Sequence, residues 1–90
     1  MPIVWRAEAR RNLAAIVRYI ADHNPPAARR MKARIEVAVL PLAARPYLYR
    51  PGRVPGTREI VVHPNYIVVY RVTAHRIEIT DVLHARRQYP

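Results

Sequence analysis

The sequence predicts an α+β domain of element order β-α-α-β-β-β, a helical hairpin packed on one face of a small antiparallel sheet. Three observations carry this. First, Tyr66-Ile67-Val68-Val69-Tyr70 is apolar at every position, as expected for a strand buried on both faces at the centre of a sheet. Second, β-rich runs flank it across two tight-turn signals, Pro64-Asn65 before it and Ala74-His75 after it. Third, two upstream stretches are periodic at helical spacing, and this meander is the one partner available for their apolar faces.

Taken in order, Pro2-Ile3-Val4-Trp5 reads as a short edge strand. From Arg6 the pattern turns helical: Leu13, Ile16, Val17 and Ile20 fall at i, i+3, i+4 and i+7, with Arg10, Arg11 and Arg18 off that stripe. The helix stops near His23. Asn24 then supplies an N-cap, and Pro25 suits the first turn of a second helix. That helix carries Ala28, Met31, Ile35, Ala38 and Leu42 as its stripe, surrounded by Arg29, Arg30, Lys32 and Arg34. Pro41 ends or kinks it near Leu40. Residues 47–56, rich in Pro, Gly, Tyr and Arg, form a connector, with Tyr47, Tyr49 and Trp5 packing beneath it. In the outer strands of the meander, Ile60 and Val62 are set against Arg58, and Ile77, Ile79 and Leu83 against Glu78 and Thr80.

Ninety residues make one domain, 1–90, with one modest core. No cysteine is present, which excludes disulfides and thiolate chemistry and suits a reducing cytoplasm. The longest apolar run is far short of the ~18 residues that span a bilayer, and no secretory pattern opens the chain, so no membrane partner is expected. Charge is the strongest compositional signal: sixteen Lys+Arg face six Asp+Glu, for a net +10. GC-rich codon usage would favour Arg over Lys but would not remove acids. The balance points to a polyanionic or acidic partner.

Motifs for familiar catalysis are missing. His23, His63, His75 and His84 are scattered without carboxylates at ligand spacing, so no metal and no cofactor is expected. Serine is absent along with cysteine, which rules out those nucleophiles. An acid–base and cation set remains: Arg58, Glu59, Arg71, Asp81, His84, Arg86, Arg87 and Tyr89. Metal-free RNA cleavage needs a base near the 2′-hydroxyl, an acid at the leaving oxygen and a cation over the phosphate. Glu59 or His84 would serve as base or acid, Tyr89 as acid or stacking platform, and arginines as clamps. Each has a plainer role: Glu59 as the partner of a neighbouring Arg, His84 as a strand-end residue, Tyr66 and Tyr70 as core.

Pro55-Gly56-Thr57-Arg58-Glu59-Ile60-Val61-Val62, then His63-Pro64-Asn65-Tyr66, Tyr70-Arg71-Val72 and Val82-Leu83-His84-Ala85-Arg86-Arg87 together resemble the RelE/ParE toxin superfamily of bacterial type II toxin–antitoxin (plasmid stabilisation) modules. Tyr19-Ile20-Ala21 with Asn24-Pro25 and Ala27-Ala28 resembles the helical hairpin of ParE-type members. The similarity covers nearly the whole chain.

The resemblance implies one of two mechanisms. RelE-type toxins cut mRNA on the ribosome, using sheet arginines with a C-terminal Tyr or His; here the residues would be Glu59, Arg58, His84 and Tyr89. ParE-type toxins poison DNA gyrase without catalysis. The ribonuclease branch commonly carries an Arg where this chain has Ile67, so the resemblance favours the ParE reading with no catalytic residues. Target contact would then fall to Arg53, Arg58, Arg71, Arg86, Arg87 and Tyr89. A ParD/PaaA-like antitoxin, acidic and folding on binding, would dock on Leu13, Ile16, Ile20, Met31 and Ile35 with Arg30 and Arg34, giving a toxin–antitoxin hetero-oligomer in the cytoplasm. A basic nucleic-acid-binding module without toxicity is the plainest alternative.

Overall fold

The computed structural model describes residues 1–87 and 89. The elements run β1 (Ile3–Trp5), α1 (Ala7–Ala21), α2 (Pro25–Val39), a 3₁₀ turn (Leu40–Ala43), β2 (Arg50–Pro51), β3 (Arg58–His63), β4 (Tyr66–Val72) and β5 (Ile77–His84). The expected element order is present, with one short strand added. Asn24 caps α2 as its side chain predicts, accepting the Ala27 N–H at 3.1 Å, and Pro25 opens the helix. Pro41 tightens the end of α2 into the 3₁₀ turn.

The sheet order is β1-β5-β4-β3-β2, so the all-apolar strand β4 is central. The sheet is mixed rather than antiparallel. β1 lies parallel to β5, Ile3 opposite Ile77 and Trp5 opposite Ile79. Tight turns force antiparallel pairing on β3, β4 and β5, but no turn joins β1 to β5, so nothing local fixes its direction. β2 was hidden in the connector: two residues, one of them proline, form an outer strand where a missing N–H costs little.

One face of the sheet carries Ile60, Val62, Tyr66, Val68, Tyr70, Ile77, Ile79 and Val82, packed against Leu13, Ile35, Val39 and Leu42. Fully burying each such side chain stabilises the fold by about 1.5–3 kcal/mol. Tyr70 is completely buried and spends its hydroxyl on the Pro46 carbonyl at 3.0 Å, while Tyr49 reaches the Ala38 carbonyl at 2.9 Å. Tyr49 and Trp5 pack against this core; Tyr47 is exposed.

Two side chains fall on the face opposite to the expected one. Leu83 does not join Ile77 and Ile79. Between Tyr70↔Ile79 and Val69↔Asp81 the register slips by one residue, leaving Thr80 unopposed. Beyond that bulge Val82 faces the helices and Leu83 the other side, with Ile67 and Val69. Arg58 shares the phase of Ile60 and Val62, so it lies on the helix side rather than against them. There its guanidinium donates to the Tyr49 carbonyl at 2.7 Å and stacks 4.9 Å from the Tyr47 ring centre, strapping the connector to β3.

Ile35 is fully buried, so Ile35→Ala is expected to lower the unfolding free energy by about 2–5 kcal/mol, read from the urea midpoint. Asn24→Ala, which removes only the cap, should cost about 1 kcal/mol.

Candidate functional site

The face of the sheet away from the helices is built differently. Ile67, Val69 and Leu83 form an apolar pad there, covered by Ala85 and Tyr89 of the C-terminal tail. Next to the pad, on β3, sits Glu59, only 2% exposed. A carboxylate this dry is tolerable only if both its oxygens are hydrogen-bonded. They are: Arg50 Nη2 of β2 donates to Oε1 at 3.1 Å, the Arg53 backbone N–H donates to Oε2 at 2.9 Å, and the Tyr89 hydroxyl donates to Oε2.

The loop between β2 and β3 aims that Arg53 N–H. Gly52 N–H bonds the Thr57 carbonyl at 2.8 Å, and the Thr57 hydroxyl bonds the Val54 carbonyl at 2.6 Å. A β-carbon at residue 52 would strike the Thr57 hydroxyl, and Gly56 holds φ at +84°. The Arg53 guanidinium in turn lies 4.8 Å from the Tyr89 ring centre and approaches the Ala85 and Arg87 carbonyls, each at 3.4 Å. The tail is thus held by apolar contact below, a carboxylate at its tip and a cation over its ring.

The four residues named for RNA cleavage divide between two faces. Glu59 and Tyr89 meet on the open face and occupy each other. Arg58 is bound to carbonyls on the helix face. His84, opposite Tyr66 across β4, also lies on the helix face, edge-on to the Tyr66 ring at 5.4 Å and beside Ile16. Its Nδ1 accepts the Arg86 N–H at 3.1 Å. Of the residues named for target contact, Arg53 and Tyr89 interlock on the open face and Arg71 is exposed on the same face of β4. Arg86 is exposed in the turn after β5, Arg87 lies at the groove between the tail and α1, and Arg58 stands apart.

Of the residues named for antitoxin docking, Ile35 has no exposed surface and Leu13 little. Ile16, Ile20 and Met31 are half-buried against the core, and Arg30 and Arg34 are exposed. Among the described residues, the ion pairs are Arg50 and Arg53 with Glu59 and Arg76 with Glu78, so the cations of the hairpin lack carboxylate partners. No group of three His, Cys, Asp or Glu among the described residues stands close enough to hold a metal ion, and no helix there is long and apolar enough to cross a membrane. Sequence reading missed Arg50, whose role depends on the unforeseen strand β2, and the Asn12–Asp81 bond of 2.6 Å that ties α1 to the bulge in β5.

A helical hairpin on a five-stranded sheet is the fold this chain shares with a toxin of the RelE/ParE superfamily. The family model "ParE toxin of type II toxin-antitoxin system, parDE" matches residues 3–89, and the chain belongs to that family. It is 44% identical over 89 residues to the candidate toxin Y4kP of Sinorhizobium fredii, covering 98% of this chain and 92% of that one. It is 37% identical over 87 residues to toxin RelE2 of Caulobacter vibrioides, covering 94% and 96%. Among solved structures, the chromosomal ParDE toxin–antitoxin system from P. aeruginosa superposes with a TM-score of 0.83 at 26% identity, over 93% of this chain and 95% of that chain. A YoeB/ParE toxin from Agrobacterium tumefaciens shares the fold at a TM-score of 0.66 and 16% identity, over 99% and 100%. A toxin of a two-component module of this kind implies an antitoxin partner.

The tail contact has a defined pH signature. Burial alone would raise the Glu59 pKa, but the Tyr89 hydroxyl, the Arg53 N–H and Arg50 outweigh it and hold it below 4.5. Burial, reinforced by the Glu59 charge, pushes the Tyr89 phenol up from 10.0 to about 12. Glu59 therefore contributes stability that is complete above 4.5 and fades as pH falls through its lower folded value. Tyr89 contributes stability that is complete below 10.0 and is lost as pH rises through about 12. In a pH titration followed by the ¹³Cζ resonance of Tyr89, the midpoint is expected near about 12, moving back toward 10.0 in Glu59→Gln.

Proposed function

We propose that the protein is a growth-arresting toxin that binds and inhibits DNA gyrase without catalysing a reaction, and that a ParD/PaaA-like antitoxin neutralises it in the cytoplasm as a hetero-oligomer. The observation carrying this reading is the division of the ribonuclease candidates. A cleavage site needs base, acid and cation around one phosphate. Here Arg58 and His84 stand on one face of the sheet, Glu59 and Tyr89 on the other. Where the ribonuclease branch of the superfamily has a cation, Ile67 is 2% exposed in the apolar pad.

Antitoxin docking is assigned to the hairpin. Beside Leu13, a groove of about 410 Å³ is lined by Trp5, Ala14 and Val17 together with Arg10, Lys32 and one acid, Glu36. Apolar side chains beside two cations and a single carboxylate fit an amphipathic, net-acidic segment, whose association would slow as salt rises. The second reading, ribosome-dependent mRNA cleavage, draws support from the Caulobacter relative's name, toxin RelE2, and from the contact of a carboxylate with a phenol at Glu59 and Tyr89.

Inducing this chain without antitoxin in a bacterium carrying a DNA-damage reporter, with translation followed in parallel, separates the readings. Gyrase poisoning is expected to raise the reporter early while translation continues. Early loss of translation with a silent reporter would replace it with mRNA cleavage, and normal growth would overturn both.

A further inference from the structure

We propose that Glu59 is a positioning residue, the anchor that docks the tail across the open sheet face and thereby fixes where Arg86 and Arg87 are presented to the target. This rests on the reading above that the tail takes part in target recognition. The sequence offered Glu59 as a candidate base, but a general base must come within hydrogen-bond reach of a substrate proton. The carboxylate is 2% exposed and already accepts from Arg50, the Arg53 N–H and the Tyr89 hydroxyl. Every one of those donors belongs to the chain's own scaffold. Two of them come from β2 and the loop that follows it; the third comes from the tail.

That arrangement gives the contact a direction. Arg50 and the Arg53 N–H fix the carboxylate before the tail arrives, because β2 pairs Arg50 with Glu59 in the sheet and the Gly52–Thr57 bond closes the loop. The tail then meets a prepared acceptor, an apolar pad of Ile67, Val69 and Leu83, and the Arg53 guanidinium above the Tyr89 ring. At its base the tail is fixed again, since Ala85 N–H bonds the Asn65 carbonyl at 2.7 Å and Arg87 N–H bonds the His84 carbonyl at 2.9 Å. Arg86 and Arg87, both exposed, stand between the Ala85–Asn65 bond and the Tyr89 contact. A recognition element ordered before binding loses less entropy when it binds.

The test compares Tyr89→Phe, Glu59→Gln and their double variant in the whole chain. Three quantities are read: deuterium exchange of the Ala85 and Arg87 amides, growth arrest against inducer dose, and affinity for the purified antitoxin. Each single variant is expected to speed tail exchange and to weaken growth arrest about tenfold, the scale of one lost charge-assisted hydrogen bond. The double variant should be no weaker than the weaker single, since both remove one contact. Antitoxin affinity should hold, because a merely unstable fold would lower both activities together. Unchanged exchange in the variants, or unchanged toxicity despite faster exchange, would overturn the anchor. Loss of mRNA cleavage in Glu59→Gln with tail exchange intact would also overturn it, returning Glu59 to the role of base. Arg86→Ala combined with Arg87→Ala tests the underlying reading separately: full toxicity there removes the tail from recognition, while the exchange data still decide whether Glu59 holds it.

Discussion

A strand apolar on both faces must be covered twice, and β4 imposes that requirement on the whole chain. Tyr66, Val68 and Tyr70 point one way and Ile67 and Val69 the other. The helical hairpin satisfies the first set. Over the other set lie Ala85 and Tyr89 of the tail. The two covers differ in kind. Helices α1 and α2 bury a broad apolar stripe and define the fold. The tail buries a small pad through one aromatic ring and depends on polar contacts to stay in place, as expected for an element of low local stability.

This division also sorts the charge. The acids are few; Glu59 is committed to Arg50 of the neighbouring strand and Glu78 to Arg76 just before β5. The helical layer keeps its cations solvated and unpaired among the described residues, which leaves them open to an acidic partner. On the open face the cations are more constrained: Arg50 and Arg53 serve Glu59 first. The same net charge of +10 therefore has two physical meanings, a diffuse field over the helices and a structured set of contacts over the sheet.

Much of the fold was legible because it rests on local signals. Asn24-Pro25, Pro41, Pro64-Asn65 and Ala74-His75 mark boundaries by side-chain chemistry alone, and the periodicities between them name the elements. What escaped depended on pairing across the sheet. β2 is two residues long and exists only through its register with Glu59. The parallel direction of β1 comes from packing, with no turn to announce it. The site was less legible for the same reason. Residue types in the list of candidates were right for chemistry, but which face each occupies is a matter of phase. Arg58 and Glu59 are neighbours in sequence and sit on opposite sides of the sheet. Arg50, which donates to Glu59 beside Tyr89 and the Arg53 N–H, lay in a stretch with no strand signal.

The extra residue in β5 carries a consequence for how such chains can diverge. With Thr80 taken up as a bulge, Val82 and His84 face the helices and Leu83 faces the pad; if Thr80 were instead threaded into the ladder, Val82 and Leu83 would change places. Deleting Thr80 would set Asp81 beside Ile79 in an unbroken ladder and leave every face downstream as it is, pad and tail included. In this architecture the bulge acts as a buffer for length, so relatives can differ by one residue in this strand and still present their C-terminal residues on the same side of the sheet.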